Sequence, residues 1–115
     1  MSQWQNIYRQ LKSDGLAVYS PGQHQGDCVS PYVVVKDSGV NPLSSFSSTQ
    51  ALYDVMCYVP QAEFSTLEPY VERVKASMKK LYPAIVATNF HTPSFLDDTV
   101  KGHMVSMQYR NNRKL

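Results

Sequence analysis

The chain has only two cysteines, no long apolar run and almost no charge imbalance, and each shortage removes a class of protein. Cys28 and Cys57 are far apart and in no metal-type pairing, so neither a disulfide scaffold nor a zinc module is expected. Both thiols are read as free, which fits synthesis in a reducing cytoplasm. The opening residues MSQWQNIYRQ are polar and periodic and lack the apolar core of a secretion signal. No stretch approaches the ~20 apolar residues a membrane helix needs. Eleven basic and nine acidic residues leave a net charge of +2, without the basic excess of a dedicated nucleic-acid binder.

Catalytic patterns are missing as well. There is no glycine-rich phosphate loop, nucleophile elbow or dinucleotide fingerprint. His24, His91 and His103 have no second histidine or cysteine at ligand spacing, and each reads as a surface or strand residue. Asp97 and Asp98, with Asp54, are the candidate divalent-cation ligands, although adjacent acids before a strand are more often turn-formers. A Cys57–His103 dyad requires their strands to adjoin, and nothing in the local sequence activates the thiol. The expectation is therefore a non-enzyme with no cofactor and no metal.

What is present describes one α+β domain. At 115 residues and 43% apolar content the chain is sized for one core, with a sheet and one layer of helices. Trp4, Ile7, Tyr8 and Leu11 recur at helical spacing, and Ser2 with Gln5 predicts a capping box. Trp4 fits this apolar stripe better than it fits a ligand platform. Asp14-Gly15 ends that helix. Leu16 to Tyr19 and the β-branched run Tyr32–Val35 predict two strands, with a polar loop over residues 20 to 30. From Gln50 to Val59 the period is two, with Tyr53, Val55, Cys57 and Val59 on one face.

A second helix has its stripe at Leu67, Tyr70, Val71, Val74, Met78 and Leu81, and Ser65 with Glu68 predicts its capping box. Its late positions carry Arg73, Lys75, Lys79 and Lys80. These complement the helix dipole and are the candidate phosphate contacts. Ala84–Phe90 and Thr99–Tyr109 predict the last two strands, the second with a bulge at Gly102. The expected architecture is a mainly antiparallel sheet with both helices on one face, in the order α-β-β-β-α-β-β.

Two segments are left over. Residues 37–49, DSGVNPLSSFSST, are expected to form a long loop, either a disordered tip or, as apolar Leu43 and Phe46 favour, a segment ordered by a partner, and residues 110–115 a short basic tail that frays unless a neighbour holds it. Eight tyrosines add partly polar contact area suited to interfaces. Val40, Leu43, Phe46, Arg110, Arg113 and Lys114 are the candidate interface residues.

The layout resembles the tail terminator, or tail-completion, proteins of long-tailed bacteriophages and prophages. The resemblance runs along most of the chain. It lies in the amphipathic first helix, SPYVVVKDSG leading to a long loop, and ALYDVMCYVP entering the helix TLEPYVERVKASMKKL. The closing TPSFLDDTVKGHMVSMQYRNNRKL ends in a strand and charged tail. It implies a virion-assembly protein of the viral tail or neck, made in the bacterial host cytoplasm. Such proteins form a ring, commonly a hexamer, that caps the tail tube and meets the head connector, while DNA passes through the lumen. Ring closure needs two different patches on each subunit. Alternatives are a head–tail connector or minor capsid protein, a small nucleic-acid-binding or regulatory module using the four basic helix residues, and a cysteine hydrolase.

Overall fold

The computed structural model describes residues 3–24, 26–42 and 48–114, and for residues 40–42, 48–50 and 112–114 it describes the backbone. Helix α1 (Trp4–Ser13) and helix α2 (Leu67–Lys79) pack on one face of a six-stranded, mainly antiparallel sheet. The strands are β1 (Val18–Tyr19), β2 (Tyr32–Pro42), β3 (Ser48–Pro60), β4 (Val86–His91), β5 (Phe95–Asp97) and β6 (Gly102–Lys114). Their order across the sheet is β1-β2-β3-β6-β4, with β5 also on β6. The expected α+β order is present. One short strand, β5, adds to it from within the segment read as a loop.

The period-two pattern of β3 sets the core. Tyr53, Val55, Cys57 and Val59 are all buried, and cross-strand pairing places Val33 and Val35 of β2 on one side of them. Met107 and Tyr109 of β6 lie on the other side. Against this face α1 sets Ile7 and Leu11, and α2 sets Leu67, Tyr70, Val71, Val74 and Met78. Each of these side chains, fully buried, contributes roughly 1.5–3 kcal/mol. The indole N–H of Trp4 donates to Val35 O at 2.7 Å, and its ring stacks on Tyr8, so Trp4 locks α1 onto the sheet.

Several local expectations are corrected. Gln3, not Ser2, occupies the N-cap of α1, where its Oε1 accepts from Asn6 Nδ2; Ser2 lies outside the described residues. A 3₁₀ segment, Gln61–Thr66, precedes α2, so Thr66 takes the N-cap position and Ser65 makes no cap there. Thr66 Oγ1 instead donates back to Glu63 O at 2.6 Å. At Gly102 the glycine marks crowding rather than a bulge. A Cβ there would lie 2.9 Å from Cys28 Cβ and 3.0 Å from Val59 O, while the register of β6 runs unbroken against β3.

The largest correction concerns residues 37–49 and 110–115. Residues 37–42 and 48–49 belong to strands, and β6 continues to Lys114 in register with Ser48. A bulge between Asp37 and Gly39 accommodates the glycine at φ +97°, with Asp37 Oδ1 accepting from Gly39 N–H. Pro42 is tolerated because this end of β2 is an outer edge, β1 covering only Val33 and Val34. The result is a three-stranded arm extending past the helices. Thirteen residues of strand at about 3.4 Å each span roughly 44 Å, close to the 48 Å long axis of the molecule. The radius of gyration of 14.5 Å exceeds the ~13 Å of a compact chain this long.

Candidate interaction surfaces

Of the candidate interface residues, Val40, Arg110, Arg113 and Lys114 fall on the arm. Leu43 and Phe46 lie outside the described residues. Val40 pairs with Ala51 in β2, and Arg113 and Lys114 pair with Thr49 and Ser48 at the end of β6. Arg110, opposite Leu52 and Val86, is on the sheet face turned away from the helices. Both edges of the arm lack a strand partner among the described residues. β2 has none beyond Val34, and β6 has none beyond Arg110, where β4 begins. These two edges belong to different strands and point in opposite directions.

The four basic residues of α2 do not form one patch. Arg73 and Lys80 turn towards the end of α1, where Arg73 donates to Asp14 O at 3.2 Å and Lys80 pairs with the Asp14 carboxylate at 2.9 Å. Lys75 and Lys79 lie on the opposite flank, and Lys75 pairs with Glu72 at 3.4 Å. The seven-residue and four-residue spacings account for this division, since i+4 and i+7 share a helix face and i+2 does not.

The metal and nucleophile candidates also separate. Asp54 pairs across the sheet with Gln108 and accepts from Ser38, whereas Asp97 pairs with Gly102 and accepts from Thr99 N–H. Six residues of β6 place them roughly 20 Å apart. Among the described residues no group of three potential ligands converges. Cys57 and His103 do lie on adjoining strands, but Cys57 faces Val105 in the core and burial pushes its thiol up to about 12. His103 is held elsewhere, with Nε2 3.2 Å from Gln61 O and its ring against Phe64. His24 stacks on Tyr32 at 4.1 Å, and Tyr32 stacks on Tyr58, so this histidine closes one end of the outer sheet face.

A feature that sequence reading missed lies along the β4–β5 edge. The helices stop short of it, leaving an open groove of about 480 Å³ between α2 and β4. Met78, Ile85, Met107 and Tyr109 form its floor, with Tyr82 and Phe90 as walls and Lys75 and Lys79 on the rim. A second depression, between the start of α2 and the link from β4 to β5, includes Phe64, Val71 and Val105. Six large apolar side chains stand exposed among the described residues: Val29, Phe64, Tyr82, Phe90, Phe95 and Leu96, with Leu96 on the helix side of the sheet, opposite His103, and Phe95 on the other face, opposite Met104. The signal was present in PAIVATNFHTPSFLDD, which places Phe90, Phe95 and Leu96 among polar residues. No periodicity joins them, because they meet only through pairing with β6.

No protein-family model matches the chain, and no curated protein matches it in sequence. No helix among the described residues is long and apolar enough to cross a membrane.

Proposed function

We propose that this protein is a structural virion-assembly subunit of the tail-terminator kind, acting by closing a homo-oligomeric ring on the end of a tail tube. The single observation that carries the reading is the arm. Its two edges, on β2 and on β6, have no strand partner among the described residues and are different surfaces facing opposite ways. Head-to-tail closure of a ring needs two such non-identical patches. Pairing the β2 edge of one subunit with the β6 edge of the next satisfies backbone groups on both. Arg110, Arg113 and Lys114 lie on the β6 strand of this arm, and Val40 on β2, so the predicted interface residues belong to the elements that carry the contact.

The mechanism needs no bound cofactor and no covalent step. Ring closure presents one end to the tube and the other to the head connector, and DNA passes through without specific contacts. The modest charge of +2 suits a lumen that must not grip DNA. The nucleic-acid reading loses its support with the division of Arg73 and Lys80 from Lys75 and Lys79. The terminator and connector readings part on partner choice. Purified protein is expected to co-sediment with tail tubes and not with portal-bearing heads. Co-sedimentation with heads alone would favour the connector.

A further inference from the structure

A channel runs beside α2 for the length of that helix, on the helix-bearing face of the sheet. Leu67, Glu68, Val71, Lys75, Met78 and Lys79 form its α2 side. Their spacing of 0, +1, +4, +8, +11 and +12 is one stripe of an α-helix, about 18 Å long. The floor is β6, whose Val105, Met107 and Tyr109 alternate towards the helices. His91 of β4 borders both depressions, so they are two stretches of one channel. With α1 over β1 and β2, and α2 over β3 and β6, the helix layer ends one helix short of the β4 edge.

The charges along this channel are ordered. Glu68 stands at its start and Lys79 at its end, and between them Lys75 is paired with Glu72 at 3.4 Å. Neither Glu68 nor Lys79 has an ion-pair partner among the described residues. We infer that the channel is a docking site for an amphipathic helix of another protein, about three turns long and antiparallel to α2, acidic in its first turn and basic in its last. In that direction its first turn meets Lys79 and its last turn meets Glu68. The same charge order suits the dipole of the docked helix itself, and its dipole lies opposed to that of α2. A second copy is not the occupant, because α1 and α2 each bury their apolar stripe against their own sheet.

Exposed side chains on this face set the apolar side of the occupant. Tyr82 and Phe90 wall the Lys79 end. At the Glu68 end Phe64 stands against the His103 ring, and Leu96 lies opposite His103 in the strand pair. Apolar residues at i, i+4, i+7 and i+11 of a docked helix present one stripe to both ends and to the floor between them. Four large side chains about half exposed offer roughly 100 Å² each, or about 800 Å² counting both partners, the size of a weak or transient contact. A helix of three turns is also marginal alone and orders only on docking, at a further cost. Dissociation constants of roughly tens to hundreds of micromolar follow.

Two fluorescein-labelled, alanine-based peptides of about 16 residues test the inference on the full chain. Both have leucines at i, i+4, i+7 and i+11. One has glutamates in its first turn and lysines in its last, and the other has these exchanged. In fluorescence anisotropy at low salt the first is expected to bind about fivefold more tightly than the second. In the Glu68→Lys/Lys79→Glu double variant that ratio falls at least about fivefold, which separates docking from the helicity of the peptides themselves. Both positions are exposed, and circular dichroism checks that the variant is folded. Amide shifts of the ¹⁵N-labelled protein are expected along the free flank of α2 and at Val105–Tyr109. Failure of the first peptide to bind at millimolar concentration would overturn the inference. A ratio unchanged in the double variant, or shifts confined to other surfaces, would do the same. None of these readouts involves the edges of the arm.

Discussion

At Asp14 the end of α1 is tied to α2 by a converging set of donors. Its carboxylate accepts from Ser77 Oγ at 2.5 Å, from Lys80 Nζ at 2.9 Å and from Gln10 Nε2 at 3.1 Å. The Ser77 hydroxyl, then Lys80, hold the carboxyl at about 2 against its ordinary 3.8. A depressed folded value means that this stabilisation is complete above the ordinary value and is lost as pH falls towards 2. Asp14→Asn is therefore expected to lower the melting temperature near neutral pH, and the difference from wild type should shrink as pH falls below about 4 and through about 2. Thermal melts of both proteins across that range check it. Gly102 makes a different kind of residue-scale claim. With Cys28 Cβ and Val59 O so close, Gly102→Ala should cost about 1–3 kcal/mol in urea unfolding, and adding Cys28→Gly should recover part of the loss. A neutral Gly102→Ala would show that the loop carrying Cys28 moves aside without penalty.

At the scale of elements, what was legible followed from periodicity. The stripes of α1 and α2 and the alternation of β3 each repeat often enough to define a buried face, and those faces make the core. Helix starts were less legible, because Ser2–Gln5 and Ser65–Glu68 have the spacing of capping boxes but a drift of one residue puts Gln3 and Thr66 at the caps. The arm was not legible at all. Gly39 and Pro42 oppose strand formation locally, and only pairing with β3, itself paired with β6, overrides them. Leu43 and Phe46 lie outside the described residues. The groove was hidden for a related reason, since Met78, Phe90 and Tyr109 come from three elements that meet only in the fold.

The arm also yields an element-scale prediction. Truncation after Asn111 removes the last three residues of β6 that pair with β3, yet keeps the 2.6 Å hydrogen bond from Asn111 Nδ2 to Ala84 O. The helix-covered core does not depend on those residues, so unfolding free energy should change by less than about 1 kcal/mol, as for a peripheral strand end. Ring formation and tube binding should be lost. A truncated chain that still binds tubes like the full-length protein would remove the β6 edge from the assembly contact.

For the whole molecule, the proposed assembly rests on the arm. The arm has two unlike edges, on β2 and on β6, which is the pair of patches that the proposed head-to-tail closure calls for. Among the described residues the Cys57 thiol and the Tyr70 and Tyr109 phenols face the core, and burial raises all three above their ordinary values. The claim that joins these observations is that the chain ends a tail tube. Electron microscopy of tail tube protein assembled with and without this protein tests it most directly. The account predicts shorter tubes with a ring-shaped cap at one end, in proportion to the amount added. Tubes of unchanged length with bare ends would contradict it.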